Sequence, residues 1–379
     1  MKNSRLRVNE KMNKFKIRNS SLELLKIIAL MLIVISHSVP YYGDTTSISF
    51  IDLGIATNDI TVFILNLIRC FGQIGNILFI ICSSYFLLES KKSKKEKILN
   101  IILDSFVISM LFVLIAVLLK CNITSKDFIK QFLPITSQNN WFIGCYLLLY
   151  IIHPLMNIII SSLNKKQLFR IDLILIFLYC IVQFVIDGKY YYNELIGFIL
   201  IYFLVAYIKL YMINFVKNIK INFILILVSL IGMVILLIIT NILGLKFNIF
   251  SDKLLYWNKI SNPMYILLSI GLFNIFNSKK FVNKFINYIS SLSLIFYMIH
   301  DNLLFRRYIK PEFYKLVFPY GHILIWVIIE AIILFICGML ISTIYKETIQ
   351  KIVYIASNKI YNLSRKIYFK IEIKLLQKE

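Results

Sequence analysis

Long apolar runs separated by short polar segments fill almost the whole chain. A helix needs about 20 mostly apolar residues to cross a bilayer. Runs at 22–41, 61–88, 98–119, 141–163, 171–187, 195–213, 222–243, 264–277, 286–305 and 323–344 therefore predict ten membrane helices. The second run is long, and Gly72 and Gly75 mark where it would tilt or break. The eighth is short for a span. The fold class read from this pattern is all-α, a polytopic integral membrane protein. It divides into a basic segment at 1–21, a ten-helix domain at 22–344 and a basic tail at 345–379. In the tail, Ile, Tyr and Leu interleave with Lys and Arg. That composition suits either an amphipathic helix on anionic lipid or a solvated end.

Charge then orients the helices. Lys and Arg concentrate in cytoplasmic loops. Of the 42 lysines and arginines, 29 fall in the termini and the alternate loops that share their side, which places both termini in the cytoplasm. The net charge of +23 would suit nucleic acid, but the basic residues sit at the ends of apolar runs, which excludes that partner. At 59% hydrophobic and 16% charged, no stretch is polar or long enough for a separate soluble domain. The first apolar run lacks a small-residue cleavage site and is read as a span rather than a cleaved signal. The six cysteines form no Cys-x-x-Cys pair and read as small buried apolar residues. No metal site is expected.

Ionisable residues inside membrane helices are costly and usually functional. The first run holds two, Lys26 and His37, eleven positions or about 16 Å apart along a helix. Lys26 would lie near the inner face and His37 in the outer half. His37 and His300, each entered from the cytoplasmic side, reach the same level, about 21–22 Å into their helices. Asp301 follows His300. Arg69 lies about 12 Å down the second helix from outside, and Asn140, Trp141 and Glu194 open helices from the outside. Together they outline a polar site in the outer half of a bundle. A histidine can take a proton from a sugar hydroxyl near neutral pH. A lysine at the inner face suits an anionic phosphate, and Glu23, three residues earlier, lies on the same face to pair with it. Blander readings stand beside these: Lys26 snorkelling to headgroups, and His37 and His300 as satisfied helix-end residues. His153, next to Pro154, reads as hydrogen-bonding a freed carbonyl. Arg306 and Arg307 read as contacts to interface phosphates, or to an anionic acceptor. Glu330 reads as a partner for a basic group.

Four segments carry a resemblance. They are Arg18-Asn-Ser-Ser-Leu-Glu-Leu-Leu-Lys26 through His37-Ser38; Gly72-Gln-Ile-Gly-Asn-Ile-Leu-Phe79 through Ser83-Ser-Tyr-Phe86; Asn140-Trp-Phe142 through Tyr150 and Pro154-Leu-Met-Asn157; and Tyr297-Met-Ile-His-Asp-Asn302. In this order they resemble the membrane-bound acyltransferase family, acyltransferase type 3, in the branch that modifies bacterial surface polysaccharides. The resemblance covers essentially the whole chain. It departs at Ser84, where glycine is usual, and at Lys26, where arginine is commoner and would grip phosphate bidentately.

The resemblance implies transfer of an acyl group, most often acetyl, from cytoplasmic acyl-CoA to a carbohydrate hydroxyl at the outer face of a bacterial plasma membrane. By matching position, Lys26 assists donor binding and His37 is the essential histidine; Glu23, by its spacing, would hold the Lys26 charge at the donor site. His300 and Asp301 would support it, while Arg69, Trp141, Asn140 and Glu194 would face the acceptor. The acceptor is a polysaccharide or its lipid-linked precursor. The aromatic residues between Leu245 and Pro263, Trp257 among them, read as an interface belt or a sugar-stacking surface. A transporter or flippase of lipid-linked sugars would also line a path with His, Arg and Asp. It is disfavoured because no inverted repeat is visible. A polymerase would need a large basic outer loop.

Overall fold

The computed structural model describes residues 19–39, 60–137, 140–185, 193–246, 255–311 and 322–376. All regular structure among them is helical. The chain runs through α1 (Ser20–Ser38), α2 (Ile60–Leu87), α3 (Lys95–Leu118), the short α4 (Ser125–Phe132) and α5 (Trp141–Ser162). Then α6 (Lys165–Leu175) passes through a π-helical turn, Ile176–Ile181, into α7 (Val182–Val185). Next come α8 (Glu194–Tyr211), α9 (Ile213–Lys217), α10 (Ile219–Lys246), α11 (Pro263–Ser278), α12 (Lys284–Ser291) and α13 (Ser293–His300). After a second π-helical turn at Phe305–Ile309 come α14 (Ile323–Glu347) and α15 (Ile349–Leu376).

Among the described residues, seven helices are long and apolar enough to cross a membrane: α1, α2, α3, α5, α8, α10 and α14. The protein is therefore a multi-pass membrane protein. The other three predicted runs are helical but differ from single full-length spans. The run at 171–187 begins earlier, at Lys165, and contains the π-helical turn. The run at 264–277 is the 16-residue α11. The run at 286–305 breaks at Leu292 into two eight-residue helices and ends at His300, so it is not one continuous helix. The basic N-terminal residues before Asn19, and Phe247 and Phe250 of the aromatic loop, lie outside the described residues.

The expected break in α2 is absent: the helix is continuous through both glycines. Their purpose is close approach. A Cβ on Gly75 would meet the Ala29 carbonyl oxygen at 2.5 Å and Ile33 Cγ1 at 2.7 Å, and one on Gly72 would strike Ser36 Oγ. Small residues let membrane helices pack backbone to backbone, where lipid gives no hydrophobic drive for association. These contacts order α1 and α2 as an antiparallel pair. The start of α1 is capped by Asn19, whose side chain accepts from Ser21 N at 3.1 Å. Ser20 Oγ donates to Asn287 Oδ1 at 2.8 Å and Ser21 Oγ to the Phe276 carbonyl at 2.7 Å, tying α1 to α11 and α12. On the other flank, Leu30 and Val34 of α1 pack with Phe296 of α13 and with Ala331 and Met339 of α14. Val39 and Leu65 pack with Ile323 and Val327. Thus α13 runs alongside α1 in the same direction, while α14 runs against it.

Two sequence motifs do structural work at the lysine-rich end of the bundle. Pro154 has no N–H for the Tyr150 carbonyl, and His153 Nδ1 lies 2.6 Å from that oxygen, as the sequence reading favoured. Asn157 Nδ2 donates to the Leu87 and Ser90 carbonyls at 3.0 and 2.9 Å, closing the end of α2, while its oxygen accepts from Tyr202 OH at 2.6 Å. The tail is helical in α15, and its first turns are tied to α3. Gln350 Nε2 donates to Asp104 Oδ2 at 2.9 Å, and Ser357 bonds Asn100.

Candidate functional site

His37 lies in the last turn of α1, and His300 ends α13. Because those helices run in parallel from the same end, residues counted to equal depth meet. His37 Nδ1 lies 3.1 Å from His300 Nε2, with both side chains buried. The rings are nearly parallel, with centroids 5.1 Å apart. One nitrogen must donate and the other accept, so each imidazole fixes the tautomer of its neighbour. Asp301 Oδ1 stands 3.9 Å from His37 Nδ1 and 3.4 Å from Arg306 Nε. Lys310 reaches into the same space. It donates to the His37 carbonyl, an end-of-helix acceptor with no N–H of its own helix to meet, and pairs with Glu330 Oε1 at 3.2 Å. The centre therefore combines two imidazoles, two carboxylates and two cations in a buried setting, where each charge is stabilised by an opposite one.

Two of these residues went unrecognised or were assigned differently from sequence. Lys310 looks like one more loop lysine, and only Glu330, an acid inside an apolar run, signals that a cation must come to it. Arg306 was read as an interface or acceptor contact, but it faces Asp301. Arg307 is likewise turned inward: NH1 donates to both oxygens of Asp127, at 3.1 and 3.0 Å, and Tyr308 OH donates to Asp127 Oδ2 at 2.9 Å. Asp127 belongs to α4, which this cluster holds against the turn that follows His300. Burial pushes the Asp127 carboxyl up, but the Tyr308 and Arg307 hydrogen bonds and the Arg307 charge outweigh it and hold the group below the usual carboxylate range. Asn302 Nδ2 adds a contact to Gln131 Oε1 at 3.4 Å.

The residues expected to face the acceptor have contacts of their own in the bundle. Arg69 is buried in α2, one turn before Gly72, with NH1 3.5 Å from Asn66 Oδ1. Asn140 is buried and donates to Ser105 Oγ of α3 at 3.2 Å. Trp141 packs edge-on against Phe142, whose ring lies 4.9 Å from Tyr297, three residues before His300. Glu194 is the first residue of α8. The contacts of Asn140 and Trp141 thus run to Ser105 and Phe142 rather than directly to the imidazoles. Among the described residues no group of His, Cys, Asp and Glu is arranged to hold a metal ion. All six cysteines are free. Cys70, Cys82 and Cys180 are buried as expected, but Cys337 is exposed on α14.

At the lysine-rich end, Glu23 Oε2 accepts from Lys26 Nζ at 3.2 Å and from Ser290 Oγ at 2.5 Å. The Lys26 ammonium also lies 5.2 Å from the centre of the Phe86 ring. The adjacent Tyr85 lines a cavity of about 580 Å³ between α2, α8 and α11, to which Lys209, Lys217 and Lys280 contribute. Lys209 is braced there by the Tyr85 carbonyl at 2.8 Å and Glu89 at 3.0 Å. Ser84, where glycine is usual, is fully buried. A second cavity, about 450 Å³, lies between α3 and α14 with His300 in its wall.

A family model described as an acyltransferase domain matches residues 19–347, most of the chain, and the chain belongs to that family. It is an acyltransferase, of a kind that moves acyl groups at membranes to hydroxyl acceptors. No curated protein and no solved structure matches it.

Proposed function

We propose that the protein transfers an acyl group, acetyl in the first instance, from acyl-CoA on the lysine-rich, cytoplasmic side to a hydroxyl of a cell-envelope glycan or its lipid-linked precursor on the other side of a bacterial plasma membrane. The observation that carries this reading is the buried imidazole pair, 3.1 Å apart, on helices that begin at the lysine-rich end. The donor's phosphates would meet Lys26 and the lysines lining the cavity between α2, α8 and α11, and the acyl arm would extend about 16 Å along α1 to the histidines.

There the acceptor oxygen attacks the thioester carbonyl carbon. A carbon–oxygen bond forms as the carbon–sulfur bond breaks. His37, kept in one tautomer by His300, takes the hydroxyl proton and returns it to the departing thiolate, so thioester and alcohol become ester and thiol. Asp301 stabilises the imidazolium while it lasts, and Arg306 keeps Asp301 in place. Direct transfer of this kind needs no acyl-enzyme. Arg69, Asn140, Trp141 and Glu194 would shape the acceptor side.

The test compares envelope glycans from cells lacking the gene, with and without the restored wild-type gene. Ester groups are released by mild base and identified by mass spectrometry. An acyl group seen only with the gene present supports the reading and names the group carried. Identical glycans, together with saturable movement of a labelled lipid-linked sugar, would replace it with a flippase.

A further inference from the structure

The 450 Å³ groove beside His300 has a form that a water-soluble glycan does not need. From Trp326 to Tyr345 it follows α14 for roughly 28 Å. Its walls are aliphatic and aromatic side chains of α3 and α14, such as Ile108, Phe112, Ile333 and Ile341. Its imidazole and charged groups, His300, Lys310 and Glu330, all lie toward the Trp326 end, away from Tyr345. At the other end Tyr345 OH donates to Asp104 Oδ1 at 2.9 Å, and Gln350 bonds the second oxygen of the same carboxylate, closing the groove toward the lysine-rich side. Ile333 and Ile341 are about half exposed along its lip, so it opens sideways, onto the apolar face that a bilayer covers.

We infer that this groove holds the hydrocarbon chain of a lipid-anchored acceptor, with the hydroxyl-bearing sugar head presented to His300. The inference rests on the acyl-transfer reading and narrows its acceptor to one that reaches the site through the membrane. An apolar channel gains only from an apolar occupant. A ligand entering from the bilayer with its head at the histidine level fits the placement of the polar groups at one end alone. A bulk phospholipid tail has no use for an imidazole at its head. A donor's acyl chain hangs from a highly charged carrier, and the groove is closed on the side from which that carrier would come.

The test measures occupancy, not turnover. Purified protein in phosphatidylglycerol nanodiscs, prepared without glycoside detergent, is irradiated with an alkyl glucoside bearing a diazirine at its chain end. In parallel it is irradiated with a phosphatidylglycerol bearing the same group. Cross-links are mapped by peptide mass spectrometry. The glucoside probe should label the α3 and α14 walls. Excess unlabelled alkyl glycoside should displace it, and palmitoyl-CoA should not. Each methylene excluded from apolar contact costs roughly fourfold in affinity. Filling the groove with Cys337→Trp or, independently, Ile341→Trp should therefore lower labelling by about tenfold or more, in protein whose melting temperature matches wild type. Equal labelling of the walls by the phospholipid probe would make the groove a lipid-covered surface. Preferential displacement by palmitoyl-CoA would give it to the donor's chain. Absence of wall labelling would also overturn the inference. None of these results depends on activity. Acylation of a chain-free soluble glycan at full rate would overturn this inference and leave the acyl-transfer reading standing.

Discussion

Replacing Gly75 with alanine tests whether the α1–α2 contact positions the histidine pair. The new methyl group would lie 2.5 Å from the Ala29 carbonyl oxygen, and ordinary contact begins at 3.4 Å, so α1 must recede by about 0.9 Å. The obstacle is backbone and cannot rotate away. His37 lies eight residues beyond Ala29 on the same helix, while His300 is anchored separately through α13 and α14. A recession of that size would stretch the 3.1 Å contact between the imidazoles past hydrogen-bonding range. Overpacking of this kind typically costs about 1–3 kcal/mol of stability, and an ångström of misplacement at a reacting centre costs on the order of a hundredfold in rate. Gly72 supplies the control, because its added methyl would meet chiefly Ser36 Oγ, a side chain that can turn and that Ser36→Ala removes. Activity is read as ester content of the glycans at matched protein level, and stability as melting temperature in detergent. Gly75→Ala should lose most activity and melt lower. Gly72→Ala should be milder and be relieved by Ser36→Ala. Full activity and an unchanged melting temperature in Gly75→Ala would refute the reasoning.

Further outcomes are expected elsewhere in the molecule. Lys26→Ala should raise the apparent Michaelis constant for acyl-CoA by about tenfold, the equivalent of ~1.4 kcal/mol, with Lys26→Arg close to wild type; loss of rate at every donor concentration would point instead to folding. His153→Ala should destabilise by about 1–3 kcal/mol by orphaning the Tyr150 carbonyl. The cost should shrink when Pro154→Ala restores the helical N–H, which a double-mutant cycle of melting temperatures would show. The Asp127 carboxyl is depressed by its partners, so its stabilising contribution is present above the ordinary carboxylate pKa of about 3.9 and is lost as pH falls through the lower folded value. Hydrogen exchange in residues 124–132 should therefore stay slow from neutrality down to about pH 4 in wild type, and be fast at neutral pH in Asp127→Asn.

Much of this architecture could be read from sequence because membrane helices announce themselves by apolar length. Depth counting along such helices is also sound, since each residue adds a fixed rise. That is why His37 and His300, 263 positions apart, could be assigned to one level and are found in contact. The pairing of Glu23 with Lys26 is legible for the same reason, being set by helical spacing. What sequence could not supply are choices made by tertiary contact. Leu292 interrupts a run at Ser290-Ser291-Leu292-Ser293, and serines are as compatible with a continuous membrane helix as with a break. Gly72 and Gly75 suggest a tilt or break from sequence, and only the neighbouring helix shows that they serve close approach. Lys310 and Arg307 are ordinary interfacial basic residues until Glu330 and Asp127 are brought to them, the second from 180 positions away. Asn140 and Glu194 open helices at the expected places, yet the partner of the Asn140 side chain depended on how α3 packs.

The most direct test of the central claim is His37→Ala in cells lacking the native gene, with membrane protein levels matched to wild type and base-released acyl groups from the envelope glycans measured by mass spectrometry. The helix around His37 stays apolar and folded, so the variant should insert normally and yield no ester above the level of the empty strain. Ester content equal to wild type would contradict the assignment of the buried histidine pair as the centre of acyl transfer.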